Sequence, residues 1–364
     1  MKLKFSKYRL LALVASVLFL SGCATGQPES TRRYVFPRPP DPPKIEWIKS
    51  YYSQQDFPKT GFESFMETLF GETRPIAFEK PIDIKSNGKG VVYVTDIVTN
   101  SIHVYDLVNN KVTLWTKNSD NEKALQIDPV YLSLDSAGLI YTVGKGESSI
   151  YVLDPTGVVV KKIDFSGKVK EVGGICVDDP RGRIYLVDVK GGKIEVFTKA
   201  GAHLLTFGKQ GDGNGELNRP FPIAVNSKGE IIVGDVMNGR VQIFDGDGKF
   251  LRKFGQRGDA NAEFQIIKGL SVDSDDNVYV TDGKANQIKI YNTNGEFLLG
   301  LGTAFSVSIS KRESPGGFLL PQGIFIDKND MIYVADQANM RFQIFKYLKD
   351  KADGDVDKNP KSLK

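Results

Sequence analysis

Histidine and cysteine are scarce in this chain, which has two of each among its 364 residues. A zinc centre built from several imidazole or thiolate ligands is therefore not expected. No C-x-x-C-H motif, no G-x-S-x-G motif and no plausible Ser-His-Asp set occurs, so we predict that the protein is not an enzyme. Cys176 lies in the apolar stretch 174–177, and we predict that it packs as a small hydrophobic side chain.

The apolar run near the N-terminus is too short to cross a bilayer as a helix. It covers residues 10–20, whereas a spanning helix needs about 20 apolar residues. Four cations and no acidic residue precede the run, and Ser21 and Gly22 follow it. A basic, an apolar and a small-residue region in this order are typical of an export signal, which we place at residues 1–22.

The residues Leu20-Ser21-Gly22-Cys23 resemble a bacterial lipobox. The resemblance implies that Cys23 is acylated, becomes the mature N-terminus and tethers the chain to a membrane. The residue after the cysteine is Ala24 and not Asp. In Gram-negative lipoproteins, a residue other than Asp at this position usually accompanies sorting to the outer membrane. We therefore predict a lipid-anchored protein of the cell envelope, at the outer membrane of a Gram-negative bacterium. The alternative is an ordinary secretory signal with an incidental cysteine.

The mature chain is predicted to carry no net charge. The signal removes four of the 48 basic residues, which leaves 44 against 44 acidic ones. Binding to nucleic acid needs a clustered excess of Lys and Arg, so we predict no nucleic-acid partner. The Pro-rich segment 23–43 is interpreted as a stiff linker, and the charged residues 349–364 as a disordered tail.

A short apolar strand of the form (I/V)YV-x-D recurs six times, at intervals of 44 to 54 residues. A further strand with period-two alternation follows each copy at a fixed offset. Six such units predict an all-β, six-bladed β-propeller with four-stranded blades over residues 44–348. The copies end at Asp96, Gly144, Asp188, Asp235, Asp282 and Asp336.

The repeated Asp residues are predicted to accept hydrogen bonds from turn amides after the second strand of each blade. A catalytic or calcium site needs one copy of its carboxylate, whereas this Asp recurs from blade to blade, which favours the structural role. The last blade has no fourth strand before the tail. Residues 44–51 alternate like an outer strand, so we predict that they pair with residues 342–347 and close the ring.

Blades four to six carry NGRVQIF at 238–244, NMRFQIF at 339–345 and the connector FG-x-x-G at 254–258. These motifs resemble the NHL repeat, and the chain resembles a bacterial NHL-repeat lipoprotein. The YV-x-D strands are also similar to the YWTD propellers of cell-surface receptors, but the connector favours the NHL type. Blade two departs from the pattern with Gly144 in place of Asp, and blade three lacks the Asn and Arg.

Alternate turns of a blade emerge on opposite faces of a propeller. The turns on the lower face are short, whereas the upper connections 208–220, 255–264 and 303–319 are long. Binding residues concentrate on long loops held by a rigid scaffold, so we predict a binding surface on the upper face. Its candidate residues are Asn100, Arg219, Asn238, Arg240, Arg257, Asn286, Asn339 and Arg341.

The segment 61–70 is predicted to form a short helix, because its large apolar residues recur at helical spacing. By chain direction it belongs to the upper face. We expect the helix to pack on the rim of the propeller. The alternatives are a lid over the central channel and an anchor for a partner.

These observations favour a non-enzymatic scaffold that uses the upper face of the propeller to bind a protein partner. The partner would be an envelope protein or complex, and the resemblance suggests redox assemblies. No cofactor is expected. The alternative is a Ca²⁺-dependent lactonase or lyase, which similar six-bladed propellers support, with the metal in the central channel. RNA binding is disfavoured by the export signal and the neutral charge.

Overall fold

The computed structural model describes residues 33–71, 74–116, 125, 127–310 and 312–349. The predicted signal 1–22, the predicted lipidation site Cys23 and the predicted tail beyond Lys349 lie outside the described residues. Within the described part of the chain, no helix is both long and apolar enough to cross a membrane.

Six antiparallel sheets in the described residues form the blades of a β-propeller, so the predicted fold is confirmed. The first strands of the blades contact one another in a ring, which places them around the central channel. Blade one consists of β3 Pro81–Ser86, β4 Val91–Asp96, β5 Ser101–Asp106 and β6 Lys111–Thr116, and blade two of β7 Pro129–Leu134, β8 Ile140–Gly144, β9 Ser149–Leu153 and β10 Val159–Asp164. Blade three consists of β11 Val172–Asp178, β12 Arg183–Asp188, β13 Lys193–Thr198 and β14 His203–Phe207, and blade four of β17 Pro220–Val225, β18 Ile231–Asp235, β19 Arg240–Phe244 and β20 Phe250–Phe254. Blade five consists of β21 Ile267–Val272, β22 Val278–Asp282, β23 Gln287–Tyr291 and β24 Phe297–Leu301.

The sixth blade joins the two ends of the domain. Its first three strands are β27 Pro321–Ile326, β28 Met331–Asp336 and β29 Arg341–Tyr347, and the fourth is the N-terminal strand β2, Ile45–Tyr51. The pairing runs from Ile45 opposite Tyr347 to Tyr51 opposite Phe342, which confirms the predicted closure. A fifth strand, β1 Tyr34–Phe36, lies outside β2 within the segment interpreted as a linker, and the sequence pattern did not indicate it.

Apolar side chains pack between neighbouring blades rather than in one central core. The described residues form six buried clusters, one at each blade-to-blade interface. Ile45 belongs to the cluster between blades five and six, and Tyr51 to the cluster between blades six and one. The closing strand therefore contributes to two interfaces at once.

The lower turns are tight and are stabilised by short polar side chains. In the turn between β19 and β20, the Asp245 carboxylate accepts hydrogen bonds from the amides of Asp247 and Lys249. Gly248 has a φ of 83°, and a Cβ atom there would lie 2.4 Å from the Phe207 side chain. This position requires glycine both for its backbone conformation and for the close approach of the next blade.

The long upper connections contain structure of their own. Residues 208–220 include the parallel pair β15 Lys209–Gln210 and β16 Glu216–Leu217, and residues 303–319 include β25 Thr303–Ala304 and β26 Gly317–Phe318. A short helix, α2 Val307–Ser310, lies between β25 and β26. A longer helix, α1 Gly61–Phe70, lies in the connection from β2 to blade one.

Candidate functional site

The repeated Asp carboxylates on the upper face hold the connections in place. Each accepts a hydrogen bond, 2.7–3.3 Å long, from an amide in the connection that enters its own blade. The donors are the amides of Glu79 and Lys80 for Asp96, Glu171 for Asp188, Asn218 for Asp235, Gln265 for Asp282 and Leu319 for Asp336. All five carboxylates are buried. The predicted donors, amides of the turn after the second strand, are found for Asp96, Asp188 and Asp282, whereas in all five blades the connection before the first strand supplies a donor that was not predicted.

In blade four, the Asp235 carboxylate is the centre of a buried polar network. Its Oδ2 atom accepts hydrogen bonds from Asn238 Nδ2 at 2.8 Å, Arg240 Nε at 2.8 Å and Gln242 Nε2 at 3.1 Å. The Arg240 guanidinium also donates to the carbonyls of Gly213 and Glu216 in the entering connection. These side chains fix the connection 208–220 to the blade.

Blade six repeats this network with Asn339 and Arg341 around Asp336. Asp336 Oδ2 accepts from Asn339 Nδ2 at 2.9 Å and from Arg341 Nε at 2.7 Å. Arg341 is 0 % exposed and Asn339 4 % exposed. Arg240, Asn339 and Arg341 were expected to bind a partner, and this expectation is corrected: they are buried and engaged within the propeller. Asn238 is half-buried and likewise engaged.

A second acidic residue ties the Arg341 guanidinium to the closing strand. Glu313 Oε1 lies 2.8 Å from Arg341 Nη1, and it accepts a hydrogen bond from Ser50 Oγ at 2.7 Å. Tyr52 donates from its hydroxyl to Glu313 Oε2 at 2.9 Å and accepts from Arg341 Nη1 at 2.7 Å. The connection 303–319 is thereby joined to both ends of the chain in blade six.

The remaining candidate residues stay near the surface. Arg219, Arg257 and Asn100 are exposed, although Arg257 Nη2 donates to the carbonyl of Met237 at 2.7 Å. Asn286 is half-buried, and its Oδ1 atom accepts from the amide of Leu320 at 2.8 Å. The structure does not bring these four residues together into one site.

An exposed apolar surface on the upper face was missed by the sequence analysis. The turns after β4, β18 and β28 each present one large apolar side chain to solvent, and so do the last residues of the connections entering blades five and six; Ile309, in the connection entering blade six, is exposed as well. Tips of propeller turns are usually polar, so apolar residues directly beyond the repeated Asp were the signal that could have revealed this surface. We call these residues the apolar upper-face group: Val98, Met237, Ile266, Leu320 and Met340.

The neck of the central channel is narrow and mostly apolar. A cavity of about 50 Å³ there is lined by Ile82, Tyr131 and Phe221, together with the polar side chains of Lys268 and Gln322. Irregularities in the pairing of each first strand with its neighbour fall at this level of the channel. Burial lowers the pKa of Lys268.

The channel neck offers little to a calcium ion. Its one carboxylate, Asp83, accepts from Lys85 Nζ at 2.6 Å and from the amide of Leu132 at 2.8 Å. Calcium takes six to eight oxygen ligands, whereas here the charged neighbours are the ammonium groups of Lys85 and Lys268. Among the described residues, no group of three or more His, Cys, Asp or Glu side chains is placed to hold a metal ion.

Below the neck the channel widens into a funnel of about 360 Å³ that includes Cys176 and Lys85. Burial raises the pKa of the Cys176 thiol to about 12, so the thiol stays protonated at neutral pH. The side chain is half-buried and lines the funnel, so it is less enclosed than the apolar sequence around it indicates.

The two histidines lie in different blades and form no site together. His103 is buried and stacks on Phe78, with ring centroids 4.7 Å apart. Burial lowers the pKa of His103 to about 4, so the imidazole is neutral at neutral pH. His203 Nε2 lies 2.7 Å from Glu195 Oε2 in blade three.

Blade two, where glycine replaces the repeated Asp, borders a large cleft of the upper face. The cleft has a volume of about 930 Å³ and extends from Asn100 in blade one to Lys190 in blade three. A Cβ atom at Gly144 would lie 2.9 Å from Glu147 Cγ and 3.0 Å from the carbonyl of Asp128. Backbone and side chain therefore occupy the space where an Asp would extend.

The fold and the upper face define a six-bladed β-propeller that is closed by its N-terminal strand. Residues 222–311 match the model of the family DUF5128, described as a 6-bladed beta-propeller. No curated protein matches the chain by sequence at a significant level. The NHL type stays a prediction from the repeat residues.

Solved structures show the same fold at low sequence identity. A protein of unknown function from Bacteroides thetaiotaomicron VPI-5482 is 17% identical, with a TM-score of 0.61 over 74% of this chain and 70% of that chain. A virginiamycin B lyase from Staphylococcus aureus is 16% identical, with a TM-score of 0.52 over 74% of this chain and 96% of that chain. A putative gluconolactonase is 11% identical, with a TM-score of 0.56 over 74% and 89%. At these low sequence identities, the similarity shows that the fold is shared and nothing further.

Proposed function

We propose that the protein is a non-enzymatic binding module of the cell envelope whose upper face engages a protein partner. The observation that carries this proposal is the apolar upper-face group. Met237 and Met340 are 49 % and 45 % exposed although each lies beside a buried polar network. Apolar side chains that remain this exposed gain little from burial within their own blade, so they are available to a partner.

The exposed side chains of the upper face have the composition of a protein interface, because methionine and arginine are enriched at interfaces. The exposed guanidinium groups of Arg219 and Arg257 lie near Met237, on the connections that enter and leave blade four. Apolar side chains and guanidinium groups on one face would suit a partner protein of the envelope, such as a redox protein.

A photo-reactive residue in place of Met237 or Met340 should crosslink one partner in intact cells. Leu298, on the outer strand of blade five, is 52 % exposed and provides a control of equal exposure. We expect one product of defined mass from the two upper-face positions and none from the Leu298 position, with mass spectrometry identifying the partner. Equal yields from all three positions, or none from the upper face, would contradict the proposal.

We further propose that acylation of Cys23 anchors the module at the outer membrane. The Cys23→Ser variant should lack the acyl groups, because the modified sulfur is absent. Mass spectrometry of the mature N-terminus measures this directly, and the Cys176→Ser variant, which keeps the other thiol, should be acylated like the wild type. A mature wild-type chain with an unmodified Cys23 would refute the anchor and leave the binding surface untouched.

The enzymatic alternative receives no support from the site. The likeness to a lyase and to a putative gluconolactonase lies in the fold, and the neck of this channel holds two lysines and one engaged carboxylate. Lysine ammonium groups repel a divalent cation. The residues of the channel thus favour a structural over a catalytic role.

A further inference from the structure

Helix α1 presents its apolar side chains to solvent instead of to the propeller. Phe62, Phe65 and Phe70 are 71 %, 58 % and 78 % exposed, and Met66 and Leu69 are exposed as well. By the helical repeat these five residues lie on one side of the helix. The expected packing of this helix on the rim is therefore not observed, and the helix does not line the channel neck, so it is no lid.

The segment 52–78, which contains α1, is held to the propeller by backbone hydrogen bonds between its two ends. The amide of Gln54 donates to the carbonyl of Ile76 at 2.8 Å, and the amide of Phe78 donates to the carbonyl of Tyr52 at 3.3 Å. Phe57 is buried among the rings of Tyr51 and Tyr105. The two ends of this segment are thus part of the interface between blades six and one, and α1 lies at the rim of the propeller beside that interface.

A helix of ten residues such as α1 is not stable in isolation. Isolated helices below about 12–15 residues are marginal in water, and most helices in proteins are stabilised by packing of their apolar side. Within the described chain, the apolar side of α1 has only a groove of about 410 Å³, in which Met66 and Phe70 face Phe57 and Pro58. Another surface must cover the exposed side for α1 to be fully stable.

The position of the predicted anchor indicates what this surface is. Strand β1 pairs with β2, and α1 follows β2 directly, so the tethered end and the helix lie in the same sector. Ten residues separate Cys23 from Tyr34. At about 3.3–3.6 Å per residue they reach at most about 40 Å. The proposed anchor therefore keeps this sector within about 40 Å of the bilayer surface, where lipid is the most abundant apolar phase.

We propose that α1 inserts its apolar side into the surface of the lipid bilayer and, with the Cys23 anchor, fixes the orientation of the propeller on the membrane. This inference rests on the proposed lipid anchor. The acyl chains would supply the stable attachment, and insertion of α1 would add an interfacial contact that limits rotation of the propeller about that attachment. The apolar side of α1 carries no basic residue, so insertion should not require anionic lipids.

Site-directed spin labelling of the full mature chain tests the insertion. In a Cys176→Ser background, which removes the free thiol of the propeller, the Phe65→Cys variant carries a nitroxide in the middle of the apolar side. The Leu298→Cys variant in the same background carries the label at 52 % exposure on blade five. Both are reconstituted in phosphatidylcholine vesicles. We expect the label at position 65 to collide several-fold more often with oxygen than with a water-soluble nickel chelate, and the label at position 298 to show the reverse.

Two results would overturn the inference. A label at position 65 as accessible to the chelate as the control shows that the helix stays in water. A label that is immobilised and shielded from both reagents shows that protein, such as a second copy, covers the helix. Mass spectrometry of Cys23 distinguishes failure of the insertion from failure of the anchor. If Cys23 carries no acyl groups but the label at position 65 is accessible to oxygen, the insertion is supported and only the anchor is refuted.

Discussion

Deletion of Ile45–Tyr51 should abolish the cooperative unfolding of the propeller. The strand pairs with β29 along its length, and Ile45 and Tyr51 are 0 % and 7 % exposed in two different interfaces between blades. Loss of the strand would leave blade six with a bare edge and open two apolar clusters to water. The expected cost exceeds about 5 kcal/mol, the lower end of the stability of natural domains.

Thermal unfolding followed by far-UV circular dichroism measures this effect. Deletion of Tyr34–Phe36 is the matched control, because β1 is the edge strand of this sheet, is paired with β2, and has three half-buried residues. The control should keep a single transition with a small decrease in Tm. A normal transition after loss of Ile45–Tyr51 would show that the ring does not depend on its closing strand.

Substitution of Arg341 by Ala should destabilise the protein by about 3–5 kcal/mol, the cost of removing one partner from a buried ion pair. Arg341 and Asp336 are both 0 % exposed, and the guanidinium also donates to the carbonyl of Gly317 at 2.6 Å. Without Arg341, the buried Asp336 carboxylate loses its cationic partner and is left with the neutral donors Leu319 N, Asn339 Nδ2 and Gln343 Nε2. Chemical denaturation at neutral pH measures the loss, and the exposed Arg257→Ala variant should change stability little.

The destabilisation of Arg341→Ala should decrease as the pH falls. Burial raises the pKa of Asp336, while the charge of Arg341 opposes that rise. Removal of Arg341 therefore raises the pKa of Asp336 further, and the folded variant binds a proton at a higher pH than the unfolded chain does. A carboxyl group with a raised folded-state pKa is most favourable at low pH, so the deficit is largest at pH 7 and smaller near pH 5. A deficit independent of pH would mean that lost packing, not the buried charge, causes the destabilisation.

The repeat made the fold predictable from the sequence because each blade restates the same pattern. Six copies of an apolar strand define six blades, and a missing fourth strand in the last blade leaves residues 44–51 as the piece that closes the ring. The N-terminal fifth strand was not predictable in the same way. Its residues Tyr34–Phe36 have no counterpart in other blades and lie among prolines.

The site was less predictable than the fold, since one sequence pattern serves structure and binding alike. Arg240 and Arg341 belong to a polar motif on the upper face, and the sequence does not show that their guanidinium groups turn inward to the buried carboxylates. Glu313, which completes the network around Arg341, lies outside the repeat. The amphipathic spacing of 61–70 indicates a helix, but not that its apolar side faces away from the protein.

The pairing of Ile45 with Tyr347 also sets the order of events during biosynthesis. Strand β2, which is made near the start of the domain, cannot pair with β29 until that last strand has been synthesised. If the predicted export signal directs secretion, a ring that cannot close early remains open for threading through a secretion channel. Contacts this distant in sequence form last and slowly, so completion of the domain would follow the passage of its final strand.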